Sequence, residues 1–334
     1  MEEKQMQITK DSRIVEVFSS ELRNDVKDKN ELKDAHEYIQ ELASNPSPER
    51  LYEIGQIMTY IIDDSLTDSV DYLDLIADVK NTGFGEKAQF QIDIDGLKAF
   101  WQAKSASTER SQVSTKYVQL DTDEVSIRPQ VNHLDLATGK VNLTDLSEKA
   151  ARRLELAIVK RIQDAVYAAF KDMGAGPNYA TGSGLTKGTF DTILYAMRRV
   201  GGNASIVGDI EALAKFTELT GFSGKVADQI SIEHNQNGHI GYYNGSPLVQ
   251  LDNPFQPQSL TETELRKDLI YVIPNVEKGL MPVKIQFEGE VQSITAPTNI
   301  DSKIVEFRFD QYVGVGVVGA RKLLGIYEDS QLSE

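Results

Sequence analysis

The chain has 334 residues, 40% apolar and 26% charged, which is enough to bury a sizeable core in one large or two ordinary domains. It contains no cysteine, which excludes disulfides, thiolate metal sites and a cysteine nucleophile and is typical of a reducing cytoplasm. The net charge of −16 disfavours a protein that reads DNA sequence, but it does not exclude a container, which must not grip its contents.

The most acidic part of the sequence is its first 80 residues, which carry 19 acidic and 9 basic side chains. Apolar residues recur there at helical spacing, for example Leu32, Ala35 and Ile39, and predict charged, weakly amphipathic helix through residue 45. Because charged helices are usually solvated, we interpret this segment as a helical arm rather than a binding motif. The prolines of NPSPER (45–50) end the arm, and a second helix is predicted from near Glu49.

A long β-hairpin is predicted between residues 87 and 127, where the apolar spacing changes from helical to alternating. The polar stretch KSASTERSQ forms its tip, and each arm has a dozen or more residues. Two strands without further partners are marginally stable in water, and no adjacent segment supplies a third strand. We therefore expect the hairpin to lie on another subunit, with Phe100 and Trp101 as apolar anchors. The alternative is that it folds onto its own domain.

The longest regular element is a helix predicted from Thr144 to Met173, with apolar residues at three- and four-residue steps along one stripe. Thr144 or Asp145 is predicted to cap its start, and at about 1.5 Å per residue it is about 45 Å long. Several cations lie away from the apolar stripe and are predicted to face solvent. They can meet an anionic ligand or pair with acids of the same helix.

The remaining sequence alternates short helices and strands. Helices are predicted from Thr189 to Val200 and from Gly208 to Thr220. Asn237-Gly238 and Asn244-Gly245 predict tight turns between short strands, since this dipeptide favours the positive φ angles of such turns. Residues 268–283 and 303–327 are predicted to be rich in strands.

Three motifs that can signal chemistry fail on their context. Gly314, Gly316 and Gly319 have dinucleotide-binding spacing, but too few residues follow for the required helix and acidic strand, so we interpret them as strand glycines. TGSGLTKGT (181–189) has the composition of a phosphate loop in the wrong order. His234 and His239 flank a turn without a third metal ligand. The sequence therefore predicts no catalytic group, no cofactor and no metal, and therefore no enzyme.

The order of these elements, with particular segments, resembles the major capsid proteins of tailed bacteriophages, which have the Hong Kong 97-type fold. DIDGLKAFWQAKSASTERSQVSTKYVQLDTDEVSI is similar to the family's extended loop, and the long helix is similar to its spine helix. NASIVGDIEALAKFTELTG and GHIGYYNGSPLVQLDNPF resemble axial-domain segments, and DLIYVIPNVEKGLMPVKIQFEGE resembles the strand that follows them. IVEFRFDQYVGVGVVGARKLLGIY resembles the closing strand of the peripheral domain. The resemblance covers about residues 54–327.

The resemblance implies an α+β chain with five parts. These are an N-terminal helical arm (1–80), an extended β-hairpin loop (81–131), a peripheral domain with the spine helix (132–200), an axial domain (201–285) and closing strands of the peripheral domain (286–334). It implies hexamers and pentamers of an icosahedral shell around the double-stranded DNA of a tailed phage. The alternatives are an encapsulin-like protein compartment and, from another class, a dinucleotide-dependent oxidoreductase.

The resemblance also implies partners and sites. The chain would be made in the host cytoplasm and become part of the virion. No apolar run in the sequence approaches the roughly 20 residues of a membrane helix, and MEEKQMQITK lacks the order of a secretory signal. Its partners would be itself, a separate scaffolding protein, a portal and a decoration protein. The extended loop would place four residues at a subunit interface: Phe100, Trp101, Lys104 and Arg110. The spine helix would turn four cations toward DNA in the lumen: Lys149, Arg152, Arg153 and Lys160.

Overall fold

Two β-sheets and a long helix that packs against both make up the fold. The computed structural model describes residues 9, 12–23, 25, 28–73, 77–94, 114–173, 176–223, 239–296 and 303–333. The helices are α1 Arg13–Leu22, α2 Lys29–Ser44, α3 Pro48–Leu73, α4 His133–Ala137, α5 Leu143–Met173, α6 Lys187–Gly201, α7 Ile210–Ala214 and α8 Ala320–Leu323. The first seven strands are β1 Ala77–Thr82, β2 Gln89–Ile94, β3 Ser114–Gln119, β4 Asp123–Ile127, β5 Gln130–Asn132, β6 Tyr179–Gly182 and β7 Ala204–Gly208. The others are β8 Phe222–Ser223, β9 His239–Tyr243, β10 Ser246–Gln250, β11 Leu269–Pro274, β12 Val283–Ala296, β13 Ile304–Val317 and β14 Gly325–Asp329.

The N-terminal helices are packed and not solvated. Asp28 caps α2 by accepting a hydrogen bond from the amide of Asn30 at 2.8 Å. Phe18 of α1 and Ile39 of α2 are buried in one cluster with the apolar face of α3. The prediction of a solvated arm is therefore wrong for α1 and α2. The polar outer faces of these helices dominate the composition, while the narrow apolar stripes that pack on α3 contribute few residues.

The first sheet has five strands in the order β1-β12-β13-β4, with β5 also paired to β13. β1 runs parallel to β12, and the other pairs are antiparallel. α3 and the N-terminal half of α5 pack on it through a cluster that contains Phe307 and Phe309 of β13. β4 contains Val125 and Ile127, which were predicted to continue the hairpin. That part of the prediction is wrong, because β13 supplies β4 with a partner from a distant part of the chain.

The long helix was predicted within one residue of its observed start and ends at Met173 as predicted. Its N-cap differs from the prediction: the side chain of Asn142 accepts the amide hydrogen of Thr144 at 2.9 Å. Thr144 instead donates its hydroxyl to Glu21 of α1 at 2.6 Å. Along α5, Leu154 packs in the cluster of α3 and the first sheet, whereas Ile162 packs in a second cluster shared by both sheets.

The second sheet has seven strands in the order β6-β14-β11-β7-β10-β9-β8. α6, α7 and the buried rings of Phe190, Phe216 and Tyr243 cover one face. Asn244 and Gly245, with φ of 47° and 81°, form the predicted tight turn between β9 and β10. The turn at Asn237-Gly238 lies outside the described residues.

The two sheets divide the chain differently from the predicted ranges. β6 and α6 fall within the range assigned to the peripheral domain, and so does β14, yet β6 and β14 pair in the seven-stranded sheet and α6 packs on it. The closing segment is therefore split, with β13 in the first sheet and β14 in the second. The domain boundaries themselves stay a prediction.

Candidate assembly surfaces

The first candidate surface is the hairpin of β2 and β3, which form a separate two-stranded sheet in the described part of the chain. Phe90 pairs with Val118, and the base of the hairpin buries Ala88, Phe90 and Leu120 against each other. The four predicted interface residues lie beyond the ends of these strands, outside the described residues: Phe100, Trp101, Lys104 and Arg110. Their assignment to an interface stays a prediction.

A buried ion pair supports the base of this hairpin. Lys284 of β12 is 1% exposed, and its ammonium donates to Asp78 of β1 at 2.9 Å and to the carbonyl of Gly279 at 2.8 Å. The same ammonium lies 5.9 Å from the ring centroid of Phe90, and that of Lys80 lies 4.9 Å away. The hairpin therefore contacts the five-stranded sheet where the ring of Phe90 meets the ammonium groups of Lys80 and Lys284. The sequence alone did not predict that Lys284 is buried, because other polar residues alternate with apolar ones along β12 in the same way.

The glycines with dinucleotide-binding spacing take part in the same contact. A Cβ on Gly316 would lie 2.4 Å from Cδ2 of Leu120, and one on Gly314 would lie 3.0 Å from the carbonyl oxygen of Asp121. Both glycines belong to β13, so the prediction of strand glycines is confirmed. They let the segment after β3 cross closely over the face of β13. The prediction is wrong for Gly319, which has φ of 68° and precedes α8, a helix of only four residues.

The second candidate surface is the exposed side of α5. The four predicted cations are all exposed, as expected from their spacing. Arg152 pairs with Asp252 at 2.9 Å and Arg153 pairs with Glu264 at 2.5 Å. These acids lie 100 and 111 residues away along the chain, so the observed partners are not the acids of the same helix. Burial, with the nearby carboxylate of Asp252, raises the pKa of Glu155 beside them.

A polar cluster joins α5 to the seven-stranded sheet. Gln163 exchanges two hydrogen bonds with the backbone of Arg266, at 2.7 and 3.1 Å. The guanidinium of Arg266 stacks 3.8 Å from the ring centroid of Tyr167 and donates to Asp268 and Glu328. The bond to Asp268 is the main cause that raises the pKa of Arg266. This cluster fixes the helix relative to the sheet.

Within the described residues, no group of three or more histidine and carboxylate side chains is placed to hold a metal ion. Over the same part of the chain, no helix is both long and apolar enough to cross a membrane.

The chain is similar to capsid proteins. The family model described as "SPbeta prophage-derived putative capsid protein YonB" matches residues 4–328. A chain from the capsid of an empty GTA particle is 15% identical, with a TM-score of 0.51, over 77% of this chain and 89% of that one. A chain of Mycobacterium phage Cain is 12% identical, with a TM-score of 0.50 and the same two shares. No curated protein matches this chain in sequence. The predicted α+β fold of the Hong Kong 97 type is confirmed.

Proposed function

This chain belongs to the family of the prophage-derived capsid protein YonB, and from that membership we infer that it assembles into hexamers and pentamers of an icosahedral shell. The capsid function itself, predicted from the order of the elements, is confirmed by the family match over residues 4–328. We further propose that the shell encloses the double-stranded DNA of a tailed phage. Because the matching family is one of prophage capsid proteins, the encapsulin-like alternative is less favoured.

The observation that carries the proposed assembly is the hairpin of β2 and β3. Its strands pair with each other and, within the described residues, with no other strand. A two-stranded sheet is marginal in water. The base of this one packs on the five-stranded sheet of the same chain, but Tyr117 of β3 is 64% exposed, so the hairpin beyond its base needs a further surface. A neighbouring subunit provides that surface in a closed arrangement, in which each copy gives a hairpin and receives one.

The proposal is tested by light scattering and electron microscopy of the purified full-length chain. Closed hollow shells are expected at high protein concentration. The chain is also to be produced together with the proteins encoded beside it, because we propose that a scaffolding protein, a portal and a decoration protein act with it. Compact monomers under every one of these conditions would contradict the proposal.

The contents of the particle separate the two kinds of shell. Particles formed during phage growth are expected to contain double-stranded DNA, as judged by nuclease-resistant nucleic acid in the purified fraction. Particles that hold only protein cargo would favour the encapsulin-like compartment instead. The capsid family makes the chain a virion component, and we propose that it is synthesised in the host cytoplasm before assembly.

We propose that the tip of the hairpin is anchored on the neighbouring subunit by Phe100 and Trp101, with Lys104 and Arg110 beside them. Tryptophan is enriched among the residues that dominate interface energies. Trp101→Ala should lower the yield and heat resistance of particles, whereas Trp101→Phe should retain most of both. The far-ultraviolet circular dichroism of the unassembled subunit should not change. Particles of Trp101→Ala with normal yield and heat resistance would show that the residue is not an anchor.

We propose that the exposed side of α5 faces the lumen and meets DNA phosphates without sequence preference. Because Arg152 and Arg153 are paired with acids, Lys149 and Lys160 are the main candidates for phosphate contact. Filled particles of Lys149→Gln/Lys160→Gln should lose DNA more readily, and their DNA retention should depend less on salt. Lys33→Gln, on the exposed face of α2, is the control. A filled-particle map with this side of α5 facing outward would refute the placement.

A further inference from the structure

A rigid protrusion, defined here as residues 252–266, connects β10 to β11 in the seven-stranded sheet. Pro257 and Gln258, the latter with φ of 68°, form a turn closed by a 3.0 Å hydrogen bond from the amide of Ser259 to the carbonyl of Gln256. The hydroxyl of Ser259 then accepts hydrogen bonds from the amides of Thr261 and Glu262 at 3.2 and 2.9 Å. The tip of the protrusion is thereby held in one conformation.

The base of the protrusion is also fixed. The amide group of Asn253 donates to Asp209 at 2.7 Å, and its oxygen accepts the amide hydrogen of Leu265 at 2.8 Å. Salt bridges from Arg152 and Arg153 join both ends of the protrusion to α5. The protrusion is therefore ordered by its own chain and does not need a partner to fold.

An apolar side chain stands at the tip of this rigid segment. Leu260 is 85% exposed, more than any other large apolar residue in the described part of the chain. The carboxylate of Glu262 is exposed two residues later. An apolar group that is already held in place loses little conformational freedom on binding, so it can contribute strongly to an interface.

The outer face of α6 has the complementary features. Its inner face buries Phe190, Ile193 and Met197, whereas Tyr195 on the outer side is 47% exposed. Arg199 is exposed four residues after Tyr195, on the same side of the helix, and makes no ion pair with any described residue. This face therefore offers an aromatic side chain beside an exposed cation, which matches an exposed leucine beside an exposed carboxylate.

We propose that the tip of the protrusion of one copy docks on the outer face of α6 of the next copy. Leu260 packs on Tyr195, and Glu262 pairs with Arg199. Both surfaces are exposed within one chain, so they do not cover each other there. The two patches differ, so their contact is heterologous and, repeated around a rotation axis, closes a ring. The inference rests on the proposed shell-forming function and names a contact within it.

The test is a charge reversal with rescue, measured as the protein concentration at which half of the full-length chain enters particles. Glu262→Arg and Arg199→Glu should each raise that concentration about tenfold, since like charges then face each other. The double variant should return to within about twofold of the wild type, because the pair is restored with its sign reversed. Leu260→Asp should have a larger effect than either reversal. Thermal unfolding of each unassembled subunit checks that the variants fold.

The control is Glu41→Arg, which reverses an exposed acid on α2 and should assemble as the wild type does. If the wild type assembles and both single reversals do so at the same concentration, the contact is wrong. Single defects without rescue in the double variant would also overturn it, because another partner would then occupy one of the surfaces. A wild type that never assembles contradicts the proposed function itself, which is a separate outcome.

Discussion

Individual residues in this chain are constrained most strongly where two backbones come close. Gly201, the last residue of α6, is an example, because a Cβ there would lie 2.7 and 2.8 Å from the amide nitrogen and carbonyl oxygen of Asn275. Backbone atoms cannot move away by a change of rotamer, as the end of a flexible side chain can. Gly188 belongs to the same helix and has no atom of this kind within 4 Å. The two glycines look alike in the sequence, and the structure distinguishes them.

Gly201→Ala is expected to destabilise the unassembled subunit by about 1–3 kcal/mol, because the added methyl group must displace the backbone at Asn275. Gly188→Ala should be neutral or stabilise by up to about 1 kcal/mol, because alanine favours the helix and meets open space. Urea denaturation measures both. Equal effects of the two substitutions would show that the close approach at Gly201 is not a constraint.

For exposed residues, the sequence predicted which side chains face solvent but not which partners they bind. The spacing of Arg152 and Arg153 correctly predicted that both face solvent on α5. Their partners, Asp252 and Glu264, could not be predicted, because periodicity describes one helix and contains no information about which distant loop reaches it. The protrusion that contains these acids was missed for the same reason. Its only local signals are the prolines at 254 and 257, which mark a turn.

Among the elements, α5 was the most predictable and the hairpin region the least. A stripe of apolar residues over 31 helical residues leaves one interpretation. By contrast, β3 and β4 follow each other with the same alternation, yet β3 pairs with β2 and β4 pairs with β13. Alternation predicts that a segment is extended, and it does not choose the partner, because that choice depends on contacts between segments far apart in sequence.

β14 is an element fixed by charge as well as by pairing. Burial on its own would raise the pKa of Asp329, but hydrogen bonds from Lys215 and from the amides of Gln331 and Gly184 outweigh burial and lower it. A lowered pKa means that the stabilisation is complete above the ordinary value near 3.8 and is lost as the pH falls below it. β14 is therefore expected to loosen in acid.

Asp329→Asn tests this account through the pH dependence of Tm. The variant should lose about 2–3 kcal/mol at neutral pH, somewhat less than a fully buried pair, because Lys215 keeps access to solvent. As the pH falls below 3.8 and through the lowered pKa of Asp329, the wild type should approach the variant, because its carboxylate is then protonated. Asp252→Asn, at an exposed pair, is the control and should change Tm little. A constant difference between Asp329→Asn and the wild type down to pH 2 would contradict the account.

The ion pair between β1 and β12 gives a second prediction at the scale of elements. Lys284→Met should cost about 3–5 kcal/mol, because it leaves the carboxylate of Asp78 largely buried without its cation. Adding Asp78→Leu should recover most of that loss, since two apolar side chains can replace a buried pair. Guanidinium denaturation of the two single variants and the double variant gives the coupling energy. Additive losses in the double variant would show that the two charges act independently.

At the scale of the whole molecule, the chain crosses between its two sheets more than once. β12 and β13 belong to the five-stranded sheet, and β14 returns to the seven-stranded one. This return was not predicted, because β13 and β14 look like one long strand segment when the short α8 between them is unknown. The sheets are held together by α5, by the cluster around Arg266 and by one shared apolar core. A change in packing at this junction should therefore affect the stability of both sheets.

A small apolar cavity of about 40 Å³ lies at this junction. Its walls come from α5, from β7 and β11 of the seven-stranded sheet and from β12 of the five-stranded sheet, through Ile162, Val207, Ile273 and Val283. An apolar void costs stability because its walls lack contacts on one side. Filling it should therefore stabilise both sheets together.

Val283→Ile adds one carbon beside this void and is expected to stabilise the unassembled subunit by up to about 1 kcal/mol. Val305→Ile is the matched control, since Val305 is fully buried in β13 and does not line the cavity. There the added carbon enters a buried site away from this cavity, so overpacking should cost the variant about 1–3 kcal/mol. Because the cavity touches both sheets, Val283→Ile should raise Tm in a single cooperative transition with no separate unfolding step. A lower Tm for Val283→Ile, or two transitions in that variant, would show that the void is not shared space between the sheets.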